Sequence, residues 1–262
     1  AKKGRIDLSQ WDIDKNEKIE LYGDWDFYWK QLIKPEQILK EGLPPSPITV
    51  KMPGEWTNAI KDPNNPKKQF TLGYGTYVLK VEGLKTKTKI AFFVRYFATA
   101  YSFTIVQGDK IIPVFKAGQV GTSPETSIPT ASQRMAEVTL ESGDFTIIVQ
   151  TSNFHYRAGG FFGSFTMGKG SVITEEFTKN NFRAFFLLGV ILIMSLYHFG
   201  LFSLRREDLG SLWFGILCFN FFLREFAEKT FLMYFVEKSK TLFMINSYIE
   251  YISMYLGVPI FI

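Results

Sequence analysis

The amino-acid sequence predicts an all-β sandwich of the jelly-roll type followed by α-helical transmembrane segments, and three observations indicate this fold class. First, residues 19–165 contain short runs in which apolar and polar residues alternate, separated by turn residues. Second, residues 184–204 carry no charge. Third, Phe is frequent, with 27 among 262 residues, and many of these follow residue 160. We therefore expect two regions, a soluble domain at 1–180 and a membrane domain at 181–262.

The first region is rich in strand and turn patterns. In the run 73–83, alternation places Tyr77, Leu79 and Val81 on one face, as in a half-buried strand. Eight or more runs of this kind favour a β-sandwich. A short helix is expected at 35–40, between a proline and a glycine. Gly-Asp pairs indicate tight turns, with a hairpin expected at the first of them; they lie at 23–24, 108–109 and 143–144.

The second region is predicted to cross a membrane. An α-helix needs about 20 apolar residues to cross a hydrocarbon core of about 30 Å. We expect spans at about 182–204, 209–226 and 242–262. The charges that flank these segments do not by themselves fix their orientation. Because the last run stays apolar up to Ile262, we expect the sequence to be a fragment of a chain with further spans.

Composition argues against several classes of function. The net charge is +5, but Lys and Arg are scattered, so no nucleic-acid partner is expected. With two His and one Cys, Cys218, the chain is not expected to bind a metal or cofactor through these residues. It lacks the motifs of serine hydrolases, P-loop proteins, zinc proteases and dinucleotide-binding proteins. A hydrolase that uses a pair of carboxylates stays open as an alternative.

Aromatic side chains near Arg, Asn and His are the candidate ligand contacts of the first region. The segment 153–160 combines these residue types with a flexible Gly pair beyond a strand end, where loops often carry binding groups. The candidate ligand-binding residues are Asn153, His155, Tyr156, Arg157, Trp56, Tyr96 and Arg95, and further aromatic candidates are Trp25, Tyr28, Trp29 and Tyr74. The alternative is that the aromatic residues form the core. For Trp25, Phe27 and Trp29, which share one face by alternation, we expect core packing.

Polar residues within the predicted spans are the candidate functional residues of the second region. They are His198, Asn246, Glu250 and Arg224, with Asn220 beside them in the same class. Polar groups at membrane depth are costly unless they face other helices, so a functional role is one interpretation. Hydrogen bonds that only hold the helices together are the other. For Glu250 we expect a protonated or paired carboxyl, with Asn246 one turn away.

Several segments resemble a known receptor family. IELYGDWDFYW (19–29), MPGEW (52–56) and GYGTYVLKV (73–81) resemble the extracellular domain of bacterial seven-transmembrane receptors with diverse intracellular signalling modules. Residues 195–225 resemble the first two spans of that class. The resemblance implies a jelly-roll sensor domain similar to carbohydrate-binding modules, in the periplasm, joined to seven helices in the inner membrane. It also implies a cytoplasmic nucleotide cyclase, histidine kinase, diguanylate cyclase or phosphatase beyond these 262 residues.

The expected function is therefore ligand sensing by part of a bacterial transmembrane receptor. Its expected partners are membrane lipid and a small polar ligand such as a carbohydrate, and a homodimer stays open. Two alternatives remain at this point. One is a membrane-anchored carbohydrate-binding envelope protein without signalling, and the other is an envelope hydrolase.

Overall fold

The chain folds as two compact units, 1–174 and 175–262. The computed structural model describes all residues except 63–64, 85–87, 96, 131, 142, 229–230, 232–238 and 262. The first unit consists mainly of β-strands, and the second consists of helices. The division between them lies close to the predicted boundary at 180/181.

The strands of the first unit are short and follow one another closely. In chain order they are β1 (Arg5–Asp7), β2 (Lys18–Glu20), β3 (Gly23–Trp29), β4 (Ile48–Met52), β5 (Gly54–Glu55), β6 (Lys61–Asp62), β7 (Asn65–Gln69), β8 (Gly73–Glu82), β9 (Thr88–Val94), β10 (Phe97–Ala98), β11 (Ala100–Gln107), β12 (Lys110–Ala117), β13 (Arg134–Leu140), β14 (Phe145–Asn153), β15 (Gly160–Phe161) and β16 (Phe165–Gly168). The helical segments of this unit are α1 (Ile13–Asn16), α2 (Pro35–Glu41) and a 3-10 turn at Trp56–Asn58.

Two main sheets organise these strands. The larger sheet has the order β12-β11-β14-β8-β3-β4, and β1 pairs in parallel with the end of β8. The smaller sheet has the order β13-β9-β16-β2. A short sheet, β10-β15-β5, and the hairpin β6-β7 complete the described strands. The strand pairs of both main sheets are antiparallel apart from β1 and β8, an arrangement that is typical of sandwiches.

The inner faces of the two main sheets share one core rich in aromatic side chains. Tyr77, Leu79 and Val81 of β8 lie in this core, as their alternation predicts. The Phe103 ring from the larger sheet packs edge-on against Phe92 and Phe165 from the smaller sheet, with centroid distances of 5.1 and 5.3 Å. Interlocking rings from two facing sheets make this unit a β-sandwich.

The expected helix is present as α2 and covers part of the outer face of the larger sheet. Tyr28 and Val78, which point outwards from the core, form a small buried cluster with Ile33. Ile38 of α2 and Leu43 pack against this cluster. The larger sheet is therefore covered on both faces at this place.

The hairpin predicted at Gly23 and Asp24 is wrong. These residues begin β3, which pairs with β4 and β8 in the larger sheet, whereas β2 pairs with β16 in the smaller sheet. The chain thus changes sheets between β2 and β3. Turn residues indicate where a chain bends, but the partner of the next strand depends on long-range packing. The pair at 108–109 does join a hairpin, β11 and β12.

The second unit contains the helices α4 (Leu209–Glu228) and α5 (Lys240–Phe261) and most of α3 (Gly170–Leu204), which begins in the first unit. Among the described residues, α3 and α4 are the two helices that are long and apolar enough to cross a membrane. The first two predicted spans, 182–204 and 209–226, lie within these helices. The third predicted span overlaps α5. The membrane crossing of all three spans stays a prediction.

Candidate functional site

The candidate segment 153–160 begins where β14 leaves the larger sheet. At this end of the sandwich, Asn153 lies opposite Gly73 at the start of β8, and Ser152 lies opposite Ala100 at the start of β11. Antiparallel pairing therefore brings the segments that precede β8 and β11 to the same end as 153–160. These segments form the candidate ligand-binding end of the sandwich.

Asn153 is buried and holds the segment in shape. Its Nδ2 donates to the backbone oxygens of Thr71, at 3.1 Å, and Tyr156, at 2.9 Å. Its Oδ1 accepts from the backbone nitrogens of Tyr156, at 3.0 Å, and His155, at 3.4 Å. Because both ends of the amide bind backbone groups, Asn153 positions the neighbouring residues of the segment.

The remaining candidates of this segment differ in how far they reach solvent. His155 and Tyr156 are half-buried, whereas Arg157 is exposed. The preceding ring, Phe154, packs near Tyr74, with the ring centroids 6.5 Å apart. Arg157 is therefore the candidate in this segment that is most accessible to a ligand from solution.

The Gly pair of this segment is held in place, although the sequence analysis expected flexibility. A Cβ atom at Gly159 would lie 2.1 Å from the Trp56 ring, and the Gly159 oxygen accepts a hydrogen bond from the Trp56 nitrogen at 3.1 Å. Gly160, with φ of +141°, pairs with Glu55 where β15 meets β5. Glycine is needed at 159 because a Cβ would clash with the Trp56 ring, and at 160 because of the positive φ and the nearby Gly54 backbone oxygen.

The candidate Trp56 lies in the core of the sandwich. It has no exposed surface, and its Nε1 donates to the Phe70 oxygen at 2.9 Å. Its ring stacks on Phe27 at 5.7 Å and approaches Trp29 at 5.6 Å. The core interpretation of the aromatic stripe is confirmed, since Trp25 and Phe27 are buried in the main core and Trp29 packs against it.

The candidate Arg95 is exposed just after β9. Its backbone nitrogen donates to the Ser164 oxygen at 3.1 Å, which ties this position to the chain before β16. Burial, and then a hydrogen bond with Glu20, raise the pKa of Tyr22, and the positive charge of Arg95 partly opposes this shift. Arg95 therefore lies near a tyrosine on the surface. The candidate Tyr96 lies outside the described residues.

A buried polar cluster at this end was missed by the sequence analysis. The Ser152 hydroxyl binds the Ser127 hydroxyl at 2.9 Å and accepts from the Gly121 nitrogen at 3.2 Å. The Thr99 hydroxyl donates to the Ser152 backbone oxygen at 2.7 Å. The signal in the sequence was the density of Ser and Thr in 121–132. Bonded networks of this kind hold a long loop in one conformation.

Polar residues of the second unit join α4 to α5. Asn220 of α4 donates through Nδ2 to the Ser253 backbone oxygen of α5 at 2.9 Å. In the reverse direction, Asn246 of α5 donates to the Ala227 oxygen of α4 at 3.0 Å. These residues are buried between the helices. The two reciprocal bonds agree with the interpretation that polar side chains hold the helices together.

The other polar candidates of this unit have different surroundings. The His198 ring is half-buried, and its centroid lies 4.5 Å from that of Phe214 on α4. Glu250 and Arg224 are half-buried. A functional role for these three residues stays a prediction. Among the described residues of the whole chain, no group of three or more His, Cys, Asp or Glu side chains could hold a metal ion.

Comparison with known proteins leaves the function open. No protein-family model and no curated protein matches the chain. Solved structures that align with it include a GH2 beta-galacturonidase from Eisenbergiella tayi bound to glycerol (14% identity, TM-score 0.36), a beta-glucuronidase from Faecalibacterium prausnitzii (10%, 0.41) and a beta-glucuronidase from Ruminococcus gnavus in complex with a uronic isofagomine (14%, 0.38). Each alignment covers 57% of this chain but only 24%, 31% and 29% of those proteins. A similarity of this size identifies neither a ligand nor an activity.

Proposed function

We propose that this chain is the sensor domain and the first membrane spans of a bacterial receptor. In this proposal the sandwich, of jelly-roll type, binds a carbohydrate or another small polar ligand in the periplasm. The helices cross the inner membrane and couple ligand binding to a cytoplasmic output domain, as in seven-transmembrane receptors with diverse intracellular signalling modules. The observation that supports this most is the direct passage from the sandwich into a long apolar helix.

The passage from strand to helix leaves no room for a linker. β16 ends at Gly168 and α3 begins at Gly170, so Lys169 alone lies between them. β16 is an inner strand of the smaller sheet, paired with β9 and β2. A displacement of this strand would therefore act directly on the first turn of α3. Coupling between a ligand site and an output needs an element of this kind with two arrangements.

The first turn of α3 is also packed into the sandwich. Ile173 is buried, and the Lys169 backbone nitrogen donates to the Glu17 backbone oxygen at 2.7 Å. The Thr174 hydroxyl lies 3.8 Å from the Met135 sulfur on β13. The start of α3 is thus held by contacts to different parts of the sandwich, as expected for a helix that responds to changes in that domain.

The proposed orientation is tested by cysteine labelling in cells. In a Cys218→Ser background, a cysteine is placed either at Asp109, in the exposed turn between β11 and β12, or at Arg206, in the exposed turn after α3. A membrane-impermeant maleimide should label the Asp109→Cys variant from the periplasm. It should label the Arg206→Cys variant only after the inner membrane is opened. The reverse pattern would contradict the orientation, and labelling of both without lysis would contradict the membrane span.

Ligand binding is tested on the whole chain in lipid nanodiscs, with a panel of neutral and acidic monosaccharides as probes. If Arg157 contacts the ligand, Arg157→Ala should lower affinity by about tenfold or more, because hydrogen bonds to charged groups contribute about 1.5–3 kcal/mol. The control is Arg5→Ala, which removes an exposed Arg paired with Glu82. Isothermal titration calorimetry measures the affinity. Equal affinities of wild type and Arg157→Ala would remove Arg157 from the site.

A further inference from the structure

An open depression of about 270 Å³ lies on the first unit beside α2. Its apolar lining comes from Leu32, Ile33 and Pro44. Its polar lining comes from Gln31 on one side and from Gln37 and Glu41 of α2 on the other. None of the lining residues belongs to the segment 153–160, and the sequence did not predict this depression.

The segment that forms one wall of the depression is fixed to the larger sheet. The Thr76 hydroxyl of β8 donates to the Gln31 backbone oxygen at 2.7 Å and accepts from the Ile33 backbone nitrogen at 3.0 Å. The Gln150 side chain of β14 donates to the Ile33 oxygen at 2.9 Å. Two inner strands of the sheet thus hold this wall in place. Small-molecule sites are usually preformed in this way.

The wall formed by α2 is fixed as well. The Gln37 Oε1 accepts from the Lys34 backbone nitrogen at 3.0 Å at the start of the helix. Ile38 packs against the buried cluster of Tyr28, Ile33 and Val78. Gln37 and Glu41 are four residues apart and therefore lie on one face of α2. The Gln37 amide nitrogen and the Glu41 carboxylate can therefore offer a donor and acceptors on the same side of the depression.

We propose that this depression binds a neutral hexose unit, an inference that rests on the proposed function and gives it a second site. Apolar side chains can pack against the C–H face of a sugar ring. Amides can donate to and accept from its hydroxyl groups, and a carboxylate can accept from them. Glu41 is the one charged side chain among the lining residues. Its negative charge disfavours uronic acids, so the depression should select neutral sugars.

The experiment measures sugar binding to the whole chain in lipid nanodiscs by calorimetry. The probes are D-glucose, D-galactose, D-mannose and D-glucuronate. At least one neutral hexose should bind more tightly than D-glucuronate. Gln31→Ala and Glu41→Gln should each lower the affinity for that hexose about three- to tenfold, the size of one or two lost hydrogen bonds. Glu41→Gln should also reduce the preference for the neutral sugar over D-glucuronate.

The matched control is Glu36→Gln, which makes the same change of charge at an exposed position on another face of α2. It should leave all four affinities unchanged. Hexose binding that is unaffected by Gln31→Ala and Glu41→Gln but weakened by Arg157→Ala would overturn this inference and leave the sensor proposal standing. Failure of all four sugars to bind would overturn it too, while the labelling experiment would still test the receptor topology independently.

Discussion

The two units place their apolar and polar side chains in opposite ways. In the sandwich, Trp25 and Trp56 have no exposed surface. In the helical unit, Phe186 is 66% exposed and Ile193 is 67% exposed, whereas Asn246 is buried. Large exposed apolar surfaces are rare on proteins dissolved in water. The difference teaches that the two units bury opposite kinds of side chain, and the exposed apolar surface of the helices is what the proposed membrane spans require.

Buried polar groups also have different partners in the two units. In the sandwich, Ser152 and Asn153 belong to local networks that connect several loops. In the helical unit, Asn220 and Asn246 each donate to a backbone oxygen of the facing helix. The Ser253 backbone oxygen lies inside α5, where the helix itself already supplies a hydrogen bond. Loss of the Asn220 bond should therefore cost less than loss of a loop network, whose backbone groups would remain unsatisfied. The comparison therefore predicts different effects of substitution.

The largest effect is expected in the aromatic core. Trp56→Ala removes a fully buried ring and should lower the free energy of unfolding of the sandwich by about 3–5 kcal/mol. Phe186→Ala, at an exposed position of α3, should change stability by less than about 0.5 kcal/mol. Denaturant titrations of the whole chain in detergent, followed by far-UV circular dichroism, measure both. Similar losses for the two variants would contradict the contrast between the units.

A smaller effect is expected at Asn153, whose side chain holds the candidate segment 153–160 in shape. Asn153→Ala removes the hydrogen bonds that the Asn153 side chain makes with the Tyr156 backbone nitrogen and the Thr71 backbone oxygen. The expected loss of stability is about 1–3 kcal/mol, the cost of unsatisfied buried groups. Thr122→Ala, at an exposed position of a nearby loop, serves as the control. If Asn153→Ala unfolds at the wild-type denaturant concentration, the positioning role of Asn153 is wrong.

The smallest effect is expected between α4 and α5. Asn220→Ala removes the bond to the Ser253 oxygen and should weaken the helix pair by about 0.6–2 kcal/mol, the range for hydrogen bonds between membrane helices. The matched control is Phe219→Ala, next in the chain but exposed. Unfolding of the chain in mixed micelles by a denaturing detergent compares the two. A larger loss for Phe219→Ala would show that the exposed face of α4 carries the packing.

Residue patterns in the sequence were sufficient to predict the local elements β8, α2 and α3 and the burial of the Trp25 stripe. Alternation placed Tyr77, Leu79 and Val81 in the core, and it put the Trp25 stripe there as well. Pro35 and the glycine after Glu41 marked α2. The uncharged run 184–204 lies within α3. Each of these features depends on neighbours within a few residues, so the chain itself carries the information.

The candidate site depended on contacts between distant residues. Turn chemistry at Gly23 gave the position of a bend but not the sheet that β3 joins. The composition of 153–160 pointed to a loop, but only the folded chain shows that Gly159 packs on Trp56 and that Asn153 binds Thr71.

The sequence by itself thus determined several of the strands and helices, among them β8, α2 and α3, and that an apolar region follows a sheet-rich one. Tertiary structure alone decided which strands pair, which polar residues face one another and where a depression opens beside α2. The physical reason is that residue periodicity reflects the local burial of one face of an element, whereas pairing and cavities depend on how separate elements pack together.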